Sequence, residues 1–158
     1  MEDTIVDNIN AVVGPTDRLI HAGDVIMGKD VYYHLPRILS RINCKRIDLV
    51  FGNHDDKIRK SAQLMALFSS CQDYMELRVN GTLVVISHYA LAVWKENGKG
   101  SIMLHGHSHG SYSGQGRIMD IGVDCTGFKP ILLEDAVNIC LQKPIDVVDH
   151  HGANTSYD

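Results

Sequence analysis

Apolar and polar positions alternate along the chain in short blocks of helical and strand-like spacing. Residues 2–13 carry Ile5, Ile9, Val12 and Val13 at helical intervals, and Gly14-Pro15 ends the pattern, which predicts a first helix. Arg18 to Ala22 is short and apolar enough for a strand, and it runs into Gly23-Asp24. A second helix is expected between Asp30 and Ile42, with Leu35, Ile38, Leu39 and Ile42 on one face. Proline is tolerated only in a first helical turn, so Pro36 sets its expected start. Lys45–Phe51 reads as a strand running into Gly52-Asn53-His54-Asp55, and Lys57–Phe68 as a helix. Tyr74–Val79 and Thr82–Ser87 flank Asn80-Gly81, a strong hairpin signal because both turn positions need positive φ. The second arm of that hairpin ends at His88. A strand over Ser101–Leu104 runs into Gly106-His107-Ser108-His109, followed by a glycine- and serine-rich loop from Gly110 to Gly116. Arg117–Gly122 is a last strand. Leu132–Gln142 is a last helix, with Leu133, Ala136, Val137, Cys140 and Leu141 on one face. Strands alternating with helices predict one α/β layered domain over residues 1–143, followed by a polar tail at 144–158.

Composition narrows the classes. With 158 residues, 44% hydrophobic and 22% charged, the chain suits a single globular domain with its own core. A net charge of −4 without any Lys/Arg cluster argues against nucleic acid as a coating partner and against an anionic-membrane anchor. No apolar run approaches the roughly 18 residues of a membrane helix, and the acidic start Met1-Glu2-Asp3 is unlike a signal peptide. Cys44, Cys71, Cys125 and Cys140 have no C-x-x-C spacing and read as reduced, half-buried thiols, so a cytoplasmic protein is expected. The unusual number is nine histidines, of which His105, His107 and His109 fall within five residues. Histidine is the commonest metal ligand and acid/base group.

Four apolar strands each end on side chains able to bind metal or move protons: Asp24; Asn53 with His54 and Asp55; His88; and His107 with His109. In open α/β sheets, sites form beyond the carboxyl ends of strands. Glycines before Asp24, Asn53 and His107 fit sharp turns and close backbone approach there. Taken singly, Gly-Asp is a turn, His88 a satisfied core or surface histidine, and one His-x-His is as readily a chance pair as a metal site. A coincidence at four strand ends together is a much poorer explanation than one shared site.

Gly23-Asp24, Gly52-Asn53-His54-Asp55, His88 at the end of a buried strand, and Gly106-His107-Ser108-His109 resemble the motifs of calcineurin-like metallophosphoesterases, in the order and spacing of the small bacterial and phage members. The similarity extends through Gly122-Val123-Asp124 and Lys129-Pro130, over roughly residues 2–142. It implies a β-sandwich of two mixed sheets flanked by helices (αββα) with a two-metal site at the strand ends. It implies that Asp24 bridges the metals, that Asn53, His88 and His107 complete the second metal's ligands, and that His109 ligates the first. His54 would protonate the leaving oxygen, with Asp55 orienting its ring. The implied reaction is hydrolysis of a small phosphate ester, a phosphodiester rather than a monoester, by metal-activated hydroxide. Two cations about 3.5–4 Å apart clamp both ends of such a displacement. Mixed N/O ligands suit Mn²⁺ first, and Ni²⁺, Fe²⁺, Zn²⁺ or Co²⁺ next.

The family pattern opens with D-x-H on a first strand, and the chain has neither residue: Asp3 is not followed by a histidine two positions on. The resemblance therefore reads as N-terminally shortened. One well-held metal is expected beside a weak or absent second one, with the activity reduced. An exposed strand flank, covered in a homo-oligomer, is also expected. The alternative reading is a catalytically weak pseudoenzyme or binding scaffold that keeps the fold and one metal site. His105 reads as a strand residue and not a ligand. His21, His34, His150 and His151 have no motif around them. Ser111-Tyr112-Ser113 reads as a rim, and Lys57-Ile58-Arg59-Lys60 as a solvated face that could draw an anionic substrate.

Overall fold

Helix α1 (Glu2–Val12) and strand β1 (Arg18–His21) begin the chain, and the computed structural model describes residues 2–28 and 30–147. Then come α2 (Val31–Arg41), β2 (Arg46–Val50), two one-turn helices α3 (Asp56–Arg59) and α4 (Ala62–Met65), and β3 (Ser70–Gln72). The second half holds the hairpin β4 (Tyr74–Val79) and β5 (Thr82–Ser87), then β6 (Ile102–His105), β7 (Ile118–Asp120) and α5 (Leu133–Leu141). The result is a mixed α/β fold of two sheets flanked by helices. One sheet has the order β1-β2-β3, the other β4-β5-β6-β7. Two mixed sheets are expected from the resemblance, but the first sheet is parallel throughout; only the second is mixed, through the antiparallel β4–β5 pair.

Alternation along each strand sorts the core. Ile47 and Leu49 of β2 face α2, Ile58 and Leu64, with Ile9 of α1 packed against the same cluster. Val50 and Ile20 face the other way, toward Val84, Ile86, Ile102 and Leu104 of the second sheet and Ala136, Val137 and Cys140 of α5. The second sheet's remaining face, Val85, Met103 and Ile118, is covered by Trp94. Leu35, Leu49, Val84, Ile102 and Met103 have no measurable exposure, so truncating one of them leaves a cavity costing about 2–5 kcal/mol.

The hairpin forms at its expected bounds, with Asn80 at φ 48 and Gly81 at φ 85 and register Val79↔Thr82. Three elements differ from expectation. Helix α2 begins at Val31, so Pro36 lies inside it; Asp30 caps the helix by accepting from the Tyr32 N–H at 3.1 Å, and burial of Val31 and Leu35 outweighs the backbone bond that proline forfeits. The single helix expected over Lys57–Phe68 is broken at Ser61, which is extended and accepts from the Leu64 N–H to start α4. Strand β3 has three half-buried residues, too short for any alternation to register. The four cysteines are free thiols; Cys44 and Cys140 are buried and Cys71 half-buried, but Cys125 is exposed. Among the described residues no helix is long and apolar enough to cross a membrane. Of the expected tail 144–158, residues 144–147 are described, with the Asp146 carbonyl accepting from the Asn97 side chain at 3.0 Å; the rest, with His150 and His151, lies outside the described residues.

Asp48 ties the first sheet together across its strands. It is 3% exposed, accepts from Arg18 Nε of β1 at 2.5 Å, and accepts from the Ser70 hydroxyl of β3 at 2.5 Å. Burial acts to raise its carboxyl, but the bonds from Ser70 and Arg18 together outweigh burial and hold it below the ordinary range. A depressed carboxylate stabilises the fold above its unfolded value of about 3.9 and loses that contribution as pH falls through its folded value. Asp48→Asn is therefore expected to cost about 2–3 kcal/mol at pH 7. The deficit should shrink on acidification below the ordinary carboxylate range. Urea unfolding across pH checks this, and an unchanged deficit would show that charge contributes nothing.

Candidate metal centre

Strands β1 and β2 run parallel in one sheet, and β5 and β6 run parallel in the other, so their carboxyl ends supply the polar turns. The backbone there is tightly packed. A Cβ on Gly23 would lie 2.5 Å from His88 Nδ1 and 2.6 Å from the Gly52 nitrogen. One on Gly52 would lie 2.2 Å from Asp24 Oδ1 and 2.6 Å from the Asp24 nitrogen. Only glycine lets these turns touch. Asp24 and His107 themselves adopt left-handed backbone, at φ 57 and φ 64. Strain of that kind, at about 1–3 kcal/mol per residue, collects where side chains must point a particular way.

The donors converge on His88. It is 2% exposed, and its Nδ1 lies 2.7 Å from the Ala22 carbonyl, so Nδ1–H donates there and Nε2 is the ring atom that faces inward. Nε2 meets Asn53 Oδ1 at 3.0 Å and Asp24 Oδ2 at 3.3 Å. Asp24, His88 and His107 each offer a ligand atom, all within 4.8 Å of one another, and together could hold a metal ion. With a neutral imidazole, lone pairs on three residues face one another, an arrangement a cation relieves. The N/O donor set fits a borderline divalent metal. The His107 ring packs 5.1 Å from His88 and 4.7 Å from Tyr89.

Other expected residues are placed differently. Asp55 is 1% exposed, and its carboxylate accepts from three backbone N–H groups: Asp24 at 2.8 Å, Gly52 at 2.8 Å and Val25 at 3.0 Å. It ties the β1 and β2 turns together; the expected bond to the His54 ring is not among its contacts in the described residues. His54 is exposed, and its backbone N–H donates to Asp24 Oδ1 at 2.8 Å. His109 is not among the converging donors; its Nδ1 meets the Asp124 carboxylate, and that hydrogen bond holds the imidazole above its ordinary pKa. His105 is fully buried on β6, as expected of a strand residue.

His21, without any motif, stands at the end of β1 beside the site. Burial lowers its pKa, while the charges of Asp55 and Asp24 act to raise it. Nothing local in the sequence marks it, because its neighbours come from three strands. Two clefts flank the donors and share Asn53 and Asp56. One, of about 270 Å³, is lined by Phe51, Arg59, Asp73, His88 and Tyr89 among others. The other, of about 530 Å³, is lined by Ile26, Met27, Asp30, His54 and Lys57 among others.

No family model and no curated protein matches this sequence. Two solved structures share the fold. A protein of unknown function from Aquifex aeolicus is similar with a TM-score of 0.66 and 23% identity, over 87% of this chain and 84% of that one. A novel archaeal phosphodiesterase is similar with a TM-score of 0.52 and 16% identity, over 76% of each chain.

Proposed function

We propose that this chain is a metal-dependent phosphodiesterase of the calcineurin-like kind, with the family's two-sheet sandwich. The observation that carries the reading is the convergence of Asp24, Asn53 and His107 on the inward Nε2 of His88, with His54 alongside, its backbone N–H on Asp24. The resemblance to the fold of an archaeal phosphodiesterase supports it. Asp24, Asn53, His88 and His107 would hold the metal, Mn²⁺ first among the candidates. When bound, such an ion lowers the pKa of water from 15.7 to about 7 and offsets the phosphate's charge. Two clefts meeting at Asn53 favour a diester, which has an alcohol on each side of phosphorus, over a monoester, which has one.

In the reaction the oxygen of water bonds to phosphorus, a water proton is released to solvent, and the bond to one ester oxygen breaks. His54 lines the larger cleft, so the departing alcohol lies there and takes its proton from the imidazole. Lys57 in the same cleft adds positive charge near the leaving oxygen. The retained alcohol then occupies the smaller cleft. Asp55 holds the Gly52 and Asp24 turns in register.

With Mn²⁺ present, bis(p-nitrophenyl) phosphate is expected to be hydrolysed. His54→Ala should lower kcat by about 10²–10⁴-fold for an alkyl leaving group and by much less for p-nitrophenolate, which departs without a proton. Metal affinity should hold. Equal losses for both leaving groups would rule out the acid role. The placement of His109 on Asp124, away from the converging donors, favours a second reading: a weak pseudoenzyme or scaffold with one metal. Mn²⁺ binding by a wild type that hydrolyses neither an alkyl nor a p-nitrophenyl diester above the protein-free background would select it.

A further inference from the structure

The smaller cleft carries three charged side chains, Asp56, Arg59 and Asp73. Arg59 looks like a cationic anchor for an anionic group, but it is already held. Its two terminal nitrogens donate to the two oxygens of Asp73, at 2.9 and 2.5 Å, and its guanidinium lies 4.2 Å over the Phe51 ring. This is a two-pronged pairing on an aromatic floor, which fixes the side chain's direction as well as matching its charge. The charge of Asp56 is met by Lys60 at 3.6 Å. Among the described residues, the cleft therefore has no uncompensated cation in its lining. What remains for a ligand is the outward N–H groups of Arg59, the carboxylate oxygens of Asp56 and Asp73, and the exposed ring of Tyr89.

We propose that Asp73 sets the charge selectivity of this cleft: by holding Arg59 it fits the cleft to a neutral, hydrogen-bonding alcohol of the diester and denies it to an anionic one. The inference rests on the phosphodiesterase reading and deepens it by naming the class of retained alcohol. Hydroxyl groups donate to the carboxylates and accept from Arg59. A carboxylate or second phosphate finds no free cation there, because Arg59 is already paired with Asp73.

The test compares two p-nitrophenyl phosphodiesters that share a leaving group and differ in the retained alcohol, glycerol or glycerate. Wild type is expected to favour the glycerol ester about fivefold in kcat/KM, carried by KM, in the range of a partly exposed charge contact. Asp73→Asn frees Arg59 and should lower KM for the glycerate ester by about the same factor, while KM for the glycerol ester, which loses a charged acceptor for its hydroxyl, does not fall. Arg59→Gln leaves Asp73 uncompensated and should raise KM for the glycerate ester instead. Both side chains are well exposed, so thermal unfolding of either variant should stay near wild type. Equal KM values for the two esters in wild type, or a glycerate KM unmoved by Asp73→Asn, overturns the inference alone. Failure of wild type to hydrolyse either ester overturns the phosphodiesterase reading and the inference with it.

Discussion

His88→Ala is expected to abolish metal-dependent hydrolysis and to weaken Mn²⁺ binding by more than about 100-fold, since loss of a group merely supporting a ligand already costs 10–100-fold. His88 has one ring nitrogen fixed on the Ala22 carbonyl and the other facing Asp24 and Asn53. Its removal takes away both a donor and the means by which β5 is joined to β1. Calorimetric titration with Mn²⁺ reads the affinity directly, apart from any turnover. His109→Ala is the informative companion. His109 points to Asp124 and does not join the triad, so its loss should leave that Mn²⁺ affinity within about threefold. An unchanged affinity in His88→Ala, or a collapse in His109→Ala, would place the metal elsewhere.

What the sequence makes legible is what short-range chemistry decides. Asn80-Gly81 specifies its hairpin because two consecutive positive φ angles are cheap for those residues. Glycines 23 and 52 announce close approach because no other residue fits, and the structure shows them against each other and His88. Four strand ends bearing Asp, Asn and His announce a shared site without showing which donors meet. The unreadable parts depend on partners far apart in the chain. The burial of Val31 and Leu35 against the core decides where α2 starts, against the local preference of Pro36. Arg59 reads as a solvated cation until Asp73, fourteen residues on, takes it. His21 has no motif, and only the fold brings it beside Asp24, Asp55 and His88. The resemblance carries a role for Asp55 that depends on which way its carboxylate points, and direction is the least local property of all.

Asp55→Asn separates those two roles. A carboxylate that accepts from the Asp24, Gly52 and Val25 N–H groups is a fastening between the ends of β1 and β2. Asparagine keeps one carbonyl oxygen, which can still serve the Asp24 and Gly52 donors. It sets an NH₂ group against the Val25 N–H, donor against donor, in a place 1% exposed where water cannot substitute. Losing the charged bonds and stranding one donor is expected to cost about 3 kcal/mol. In a domain of this length that lowers Tm by about 6–12 °C. Because the fastened turns carry Asp24 and Asn53, Mn²⁺ affinity should fall about 10–100-fold as well. Added Mn²⁺ should then stabilise the variant less than wild type at the same concentration, since stabilisation follows the ratio of metal to Kd. An aspartate that served only to orient the His54 ring would behave otherwise: kcat would fall as in His54→Ala, while Tm and metal affinity stayed put. Thermal unfolding with and without Mn²⁺ decides between the two, because only a fastening couples stability to metal.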